Sequence, residues 1–200
     1  DTSEKTLETA GTRIADAART LAAGGAIVAA EAEAAPQRIF PCGTLAEALA
    51  DADLIVEAIV EDPEAKRELY ADAAGHAPAH AVLASNTSFL DIFPLLPATF
   101  EERAFIVHWY TPPYIVDLVD VVPAPGTPDE LRRRMTGFLR SLDKKPVVLK
   151  RFVPGYLANR IQFAIENEAF RLVDEGIADV GSVDDSIRYG LALRLALLGQ

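Results

Sequence analysis

Cysteine is almost missing: Cys42 stands alone in 200 residues, so no disulfide framework is available within the chain, and a reducing, cytoplasmic setting is the expectation. Positive charge is also short. Nineteen Lys and Arg face thirty Asp and Glu, a formal net charge of −11. No stretch gathers the basic residues into a stripe, which argues against a nucleic-acid or anionic-membrane partner. The densest run, Arg132-Arg133-Arg134, would spread round a helix and reads as a solvated face. No uncharged apolar run reaches the length of a membrane-spanning helix, and the first residues lack the basic start and apolar core of a signal peptide. Any G-x-G-x-x-G phosphate loop is absent too. With no initiator Met and two abrupt ends, the chain is expected to be a piece of a longer one.

What is present is a core-forming composition, 50% hydrophobic, in which helices alternate with short apolar runs. Ser3 caps residues 4–23, where Leu7, Ala10, Ile14, Ala17, Ala18 and Leu21 recur at helical spacing until Gly24-Gly25. The Ala-rich segment 26–35 reads as a second helix closed by Pro36, residues 38–40 as a weak strand, and 45–50 as a short helix capped by Thr44. Residues 53–60 are rich in β-branched side chains and too short for a buried helix, so they read as a central strand. Helix 63–74, strand 81–85, a short helix near 91–96, strands 104–108 and 117–122, helix 128–142 and strand 146–150 follow. This is an α/β layer pattern. From Val153-Pro154-Gly155 it gives way to helices only, with Leu157, Ile161, Ala164, Ile165, Ala169 and Leu172 on one face of a long helix. The expected division is a domain over 1–151 and the start of an all-helical domain over 152–200. Residues 191–198 are apolar except for Arg194, and a helix of that kind wants a partner surface.

Three of the strand ends carry polar residues: Ser85-Asn86-Thr87-Ser88, His108 and Asp120. In open α/β sheets ligands sit outside the carboxyl ends of strands, so these residues point to one shared crevice. Positions 108 and 120 lie symmetrically about Tyr114, and Pro112-Pro113 invites a turn, so a hairpin-like return would set the Asp120 carboxylate beside the imidazole. Such a carboxylate fixes the tautomer and stabilises the protonated ring, as a His general base requires. Asp117 is the nearest competitor, but strand alternation turns it to the opposite face. Ser88 then reads as a hydrogen-bond partner for a substrate oxygen. A Ser-His-Asp nucleophilic triad is the rival reading; the serine lacks a G-x-S-x-G elbow, and the chain order matches none of the common hydrolase orders. His76 and His80 have ligand-like spacing, yet Pro78 lies between them and no acid completes a set, so no metal site is expected. Asp1 precedes a helix N-cap, where an acidic residue binding an adenosine ribose would stand. The phosphate loop would then lie upstream, and residues 1–200 by themselves would hold a dinucleotide poorly.

Four blocks, in order along the chain, resemble the NAD-dependent 3-hydroxyacyl-CoA dehydrogenases and their relatives acting on other 3-hydroxy acids. They are Asp53-Leu54-Ile55-Val56-Glu57-Ala58-Ile59-Val60-Glu61-Asp62 with Lys66, Ser85-Asn86-Thr87-Ser88, His108 with Pro112, and Pro154-Gly155-Tyr156 with Asn159-Arg160. The resemblance implies a Rossmann-type dinucleotide-binding domain, here without its first strand and glycine loop, followed by an incomplete all-helical domain that usually dimerises. It implies His108 as general base oriented by Asp120, Ser88 and Asn159 on the substrate oxygen, and Asp1, Ala58, Val60, Glu61, Lys66, Asn86 and Ser88 against NAD. The implied activity is oxidation of a small-molecule substrate, a 3-hydroxyacyl-CoA, to its 3-oxo counterpart, as in fatty-acid metabolism, by a homodimer. Asp120 stands where the family normally carries the longer Glu, and Thr111 replaces an Asn. Ala17 and Gly24 fall where acyl-CoA enzymes have a hydroxyl and a Lys. With Pro112-Pro113-Tyr114 and Gly190-Leu191-Ala192-Leu193-Arg194, these positions resemble the branch holding L-gulonate and carnitine dehydrogenases and the lens λ-crystallins. A dehydrogenase of a small polar 3-hydroxy acid and a non-catalytic NAD-binding relative therefore stay open as alternatives.

Overall fold

The computed structural model of the protein describes residues 3–199, which fall into two compact units divided between Pro154 and Gly155. The first opens with helix α1 (Glu4–Ala23), whose N-cap Ser3 accepts from the Thr6 amide. Helix α2 (Ala29–Ala34) begins three residues later than the Ala-rich run suggests, because Val28 is extended and its amide donates to the Glu31 carboxylate at 3.2 Å. The weak strand expected over 38–40 is not there. Pro36–Arg38 is instead a 3-10 turn, and Ile39 and Phe40, 45% and 79% exposed, pair with no strand among the described residues. Thr44 caps α3 (Leu45–Leu49) through the Glu47 amide.

Strand β1 (Leu54–Glu57) is half the length its composition suggests. The chain curls out of the sheet after Glu57 because that residue's own carboxylate accepts the Ile59 amide at 2.8 Å. Among the described residues β1 pairs with β2 alone and so stands at the edge of the sheet, not in its centre. Helix α4 (Pro63–His76) follows, with Asp62 accepting the Ala65 amide and Pro63 in the first turn. After β2 (Val82–Ser85), the expected helix near 91–96 is only a 3-10 turn, Phe93–Leu95, with Pro94 inside it and Pro97 two residues beyond to stop it. Strands β3 (Ala104–Trp109) and β4 (Leu118–Pro123), helix α5 (Asp129–Ser141) and strand β5 (Lys145–Val148) complete the unit.

The five strands run in the order β1-β2-β3-β4-β5, all neighbours being parallel except β3 and β4. That antiparallel return is closed by the Pro112 carbonyl, which accepts from both Ile115 and Val116. Strand alternation then sorts the side chains. Val82, Ala84, Phe105, Val107, Val119 and Val121 pack on one face with Met135 and Leu139 of α5, each large side chain so buried contributing roughly 1.5–3 kcal/mol. His108 and Asp120 fall on the other face by the same alternation.

The second unit contains α6 (Ala158–Asp174), α7 (Val180–Ser186) and α8 (Ala192–Leu198), the last two joined by a π-helical turn over Ile187–Leu191. Among the residues of α6 none is fully buried. Ile161, Ile165 and Ala169 line an apolar groove of about 540 Å³ with Ile187, Leu191 and Leu195. No helix among the described residues is long and apolar enough to cross a membrane.

Candidate active site

Parallel strands β1, β2 and β3 deliver their carboxyl ends to one edge of the sheet, and the polar residues gather there. His108 and Asp120 are direct register partners across β3 and β4, which brings His108 Nδ1 to 4.0 Å from Asp120 Oδ2. On the ring's other side Nε2 lies 3.2 Å from Ser88 Oγ. With its proton on Nδ1, toward the carboxylate, the neutral imidazole presents Nε2 as an acceptor to Ser88 or to any hydroxyl that replaces it. Both groups are buried, His108 being 5% and Asp120 0% exposed. Burial pushes His108 below its ordinary pKa against the opposing pull of the Asp120 and Glu61 charges. It pushes the Asp120 carboxyl up, against the Tyr110 hydrogen bond and the His108 charge. Asp117 is no competitor: it precedes β4, is largely exposed, and lies 3.8 Å from Lys144.

The gap of 4.0 Å exceeds a hydrogen bond, consistent with a carboxylate one methylene shorter than Glu. What holds Asp120 instead is Tyr110, whose hydroxyl donates to the same Oδ2 at 2.6 Å. Sequence reading missed this residue. Its one signal was spacing, since positions 108 and 110 share a face when a strand continues.

The loop that carries Ser88 is held from below. Glu61 Oε1 accepts from the Ser88 amide at 2.8 Å, the Phe89 amide at 2.9 Å and the Thr87 hydroxyl at 2.7 Å. Burial raises the Glu61 carboxyl, and these bonds together with the Lys66 charge outweigh it, leaving Glu61 below its usual value. Asn86 Oδ1 accepts the Trp109 amide at 2.9 Å, tying the same loop to the end of β3. Lys66 is 1% exposed, its ammonium lying 2.7 Å from Glu57 Oε1 and 3.4 Å from Glu61 Oε2. It therefore acts on the crevice through Glu61. Glu57, unremarked in the sequence except as part of a block, is the hub beneath. Its carboxylate accepts from Lys66, from Tyr70 at 2.6 Å and from Ser85 at 2.6 Å. Burial raises this carboxyl as well, and the Lys66, Ser85, Tyr70 and Ile59 bonds together hold it below its ordinary value.

Ala58 and Val60 leave the end of β1 exposed, Val60 by 69%. This apolar edge lies beside the Glu61 carboxylate, whose loop partners include Ser88, and could present a flat ring with an apolar surface and ribose hydroxyls with acceptor oxygens. The 200 residues hold no G-x-G-x-x-G phosphate loop. Asp1 lies outside the described residues. Asn159 is the second residue of α6, partly buried, in the second unit. His76 and His80 do not converge on a metal; they lie 3.3 Å from Asp72 and 3.2 Å from Asp53 respectively, and among the described residues no cluster could hold one.

Comparison with known proteins bears on the whole chain. A 3-hydroxyacyl-CoA dehydrogenase of Gibberella moniliformis is 39% identical over 157 residues, covering 78% of this chain and 49% of that protein. An L-carnitine dehydrogenase of Burkholderia mallei is 34% identical over 172 residues, covering 83% of this chain and 52% of that one. The chain thus spans about half the length of the curated relatives it matches. The solved 3-hydroxybutyryl-CoA dehydrogenase of Escherichia coli K12 superimposes with a TM-score of 0.85 at 29% identity, covering 94% of this chain and 40% of that one. Residues 1–152 match the NAD binding domain of 3-hydroxyacyl-CoA dehydrogenase and residues 155–199 its C-terminal domain, so the chain belongs to the 3-hydroxyacyl-CoA dehydrogenase family.

Proposed function

We propose that the complete protein oxidises a 3-hydroxyacyl-CoA to the 3-oxoacyl-CoA with NAD. The observation that carries this reading is the line from Ser88 Oγ through the His108 ring to Asp120 at the strand ends. NAD, held against the end of β1 and the loop after β2, would supply the hydride acceptor. His108 Nε2 takes the hydroxyl proton, and the buried charge of Asp120 stabilises the imidazolium that forms. Ser88 donates to the substrate oxygen as it becomes a carbonyl, from a loop that Glu61 keeps in place. Glu61 and Asn86 would hold the nicotinamide ribose, with Ala58 and Val60 against the ring.

A smaller, polar 3-hydroxy acid is the second reading. It is supported by the similarity to an L-carnitine dehydrogenase and by Ala17 and Gly24 on and just after α1, which offer a CoA neither a hydroxyl nor an ammonium. Steady-state turnover of 3-hydroxybutyryl-CoA against free 3-hydroxy acids separates the two: activity on the free acids alone removes the acyl-CoA version. NADH fluorescence that reports binding without oxidation of either would favour the non-catalytic relative. The exposed apolar residues Phe170, Leu193 and Leu197 support a homodimer through the helical unit.

The pH dependence follows from the sign of the His108 shift. Oxidation needs the neutral ring, and burial lowers the pKa from its ordinary 6.5. Activity in kcat/KM is therefore expected to persist below pH 6.5 and to be lost only as pH falls through the depressed value. An acid limb with its midpoint above 6.5 would contradict the buried neutral base.

A further inference from the structure

We propose that Tyr110 is a positioning residue of the dyad, its hydroxyl holding the Asp120 carboxylate and its ring bracing the His108 imidazole. The inference rests on the dehydrogenase reading above and adds a residue that reading does not use. Tyr110 donates to Asp120 Oδ2 at 2.6 Å, while His108 Nδ1 stands 4.0 Å from that same oxygen. The other carboxylate oxygen, Oδ1, has no hydrogen-bond partner among the described residues. Tyr110 is thus the group that keeps a fully buried carboxylate in one rotamer facing the imidazole. Its ring meets His108 edge-on, with centroids 4.7 Å apart and an interplanar angle of 80°, an arrangement favoured for aromatic pairs. One side chain therefore restrains both members of a dyad that do not themselves touch at hydrogen-bond distance.

The chemical consequence concerns charge. The base is competent with Asp120 ionised and His108 neutral. A donor on Oδ2 favours that state over a protonated pair, whichever member holds the proton, so removing it raises the proton affinity of the dyad as a whole. The other groups facing His108 are Asp120 from β4, Glu61 from the loop after β1 and the Ser88 hydroxyl. None of them supplies a second donor to Asp120.

Tyr110→Phe keeps the ring and removes the hydroxyl. In the complete protein, kcat for the 3-hydroxy substrate is expected to fall roughly tenfold while KM for NAD stays unchanged. The acid limb of kcat/KM should move up by about one pH unit. Titration of the His108 ring by NMR, without cofactor, should move by the same amount. In an Asp120→Asn background, Tyr110→Phe should shift neither. A folded Tyr110→Phe variant with both titrations unmoved overturns the proposal, as does an equal shift in the Asp120→Asn background. Should Tyr110→Phe fail to fold, 3-fluorotyrosine at position 110, a stronger donor of the same shape, must move the titration down; no movement overturns the assignment. Absence of turnover on every 3-hydroxy compound would remove the dehydrogenase reading, while the NMR titration still decides the role of Tyr110.

Discussion

His108→Ala is expected to lower turnover of the complete protein by roughly 10² to 10⁴, the usual contribution of a positioned general base. Cofactor affinity should change little. The residues proposed to meet the nicotinamide ribose, Glu61 and Asn86, are anchored by bonds that do not pass through the imidazole: Glu61 to Thr87, Ser88 and Phe89, and Asn86 to the Trp109 amide. The loss should therefore appear in kcat and kcat/KM together, as for an interaction made only in the transition state. Measuring KM for NAD and thermal unfolding beside kcat separates this from a structural role. A matching loss of cofactor affinity, or of stability, would mean that His108 serves packing and that the proton acceptor lies elsewhere.

The largest effect on stability is expected at Glu57. It is 3% exposed, and its carboxylate accepts from Lys66, Tyr70, Ser85 and the Ile59 amide. Glu57→Ala would leave the Lys66 ammonium buried, with only Glu61 at 3.4 Å to face it, and would strip the acceptor from two buried hydroxyls. Breaking a buried pair from one side costs roughly 3–5 kcal/mol, far more than the pair contributes net against apolar residues of the same size. For 200 residues that is a fall in Tm of roughly 6–20 °C. Adding Lys66→Met to Glu57→Leu should recover part of the loss, because no lone charge is then buried. Because the folded Glu57 carboxyl sits below its ordinary 4.5, its contribution is fully present above that value and is lost as pH falls through the lower folded one. A Tm within about 2 °C of the parent for Glu57→Ala would show that the network is wet and weak.

Much of the site was legible from spacing. The apolar runs ending at Ser85 and His108, and the turn-forming Pro112-Pro113 between His108 and Asp120, were enough to foresee the cross-strand pairing. Period-2 alternation with a tight return leaves few registers open. The segment 38–40 misled because β-propensity describes how a residue fits a sheet surface, and among the described residues no strand pairs with Ile39 and Phe40 to provide one. The run 53–60 misled for a different reason: a side-chain acceptor at Glu57 captures the Ile59 amide that a longer strand would have given to its ladder.

By itself the sequence determined the α/β order, the caps at Ser3 and Thr44, and the polar strand ends. All are local, written in residues within a turn or a strand of one another. Only the tertiary structure decided that Glu57, Lys66, Tyr70 and Ser85 share one buried cluster, and that Tyr110 rather than His108 holds the Asp120 oxygen. Those outcomes depend on side-chain reach across separate elements. A difference of about 1 Å there makes or breaks a hydrogen bond, and no periodicity along the chain records it.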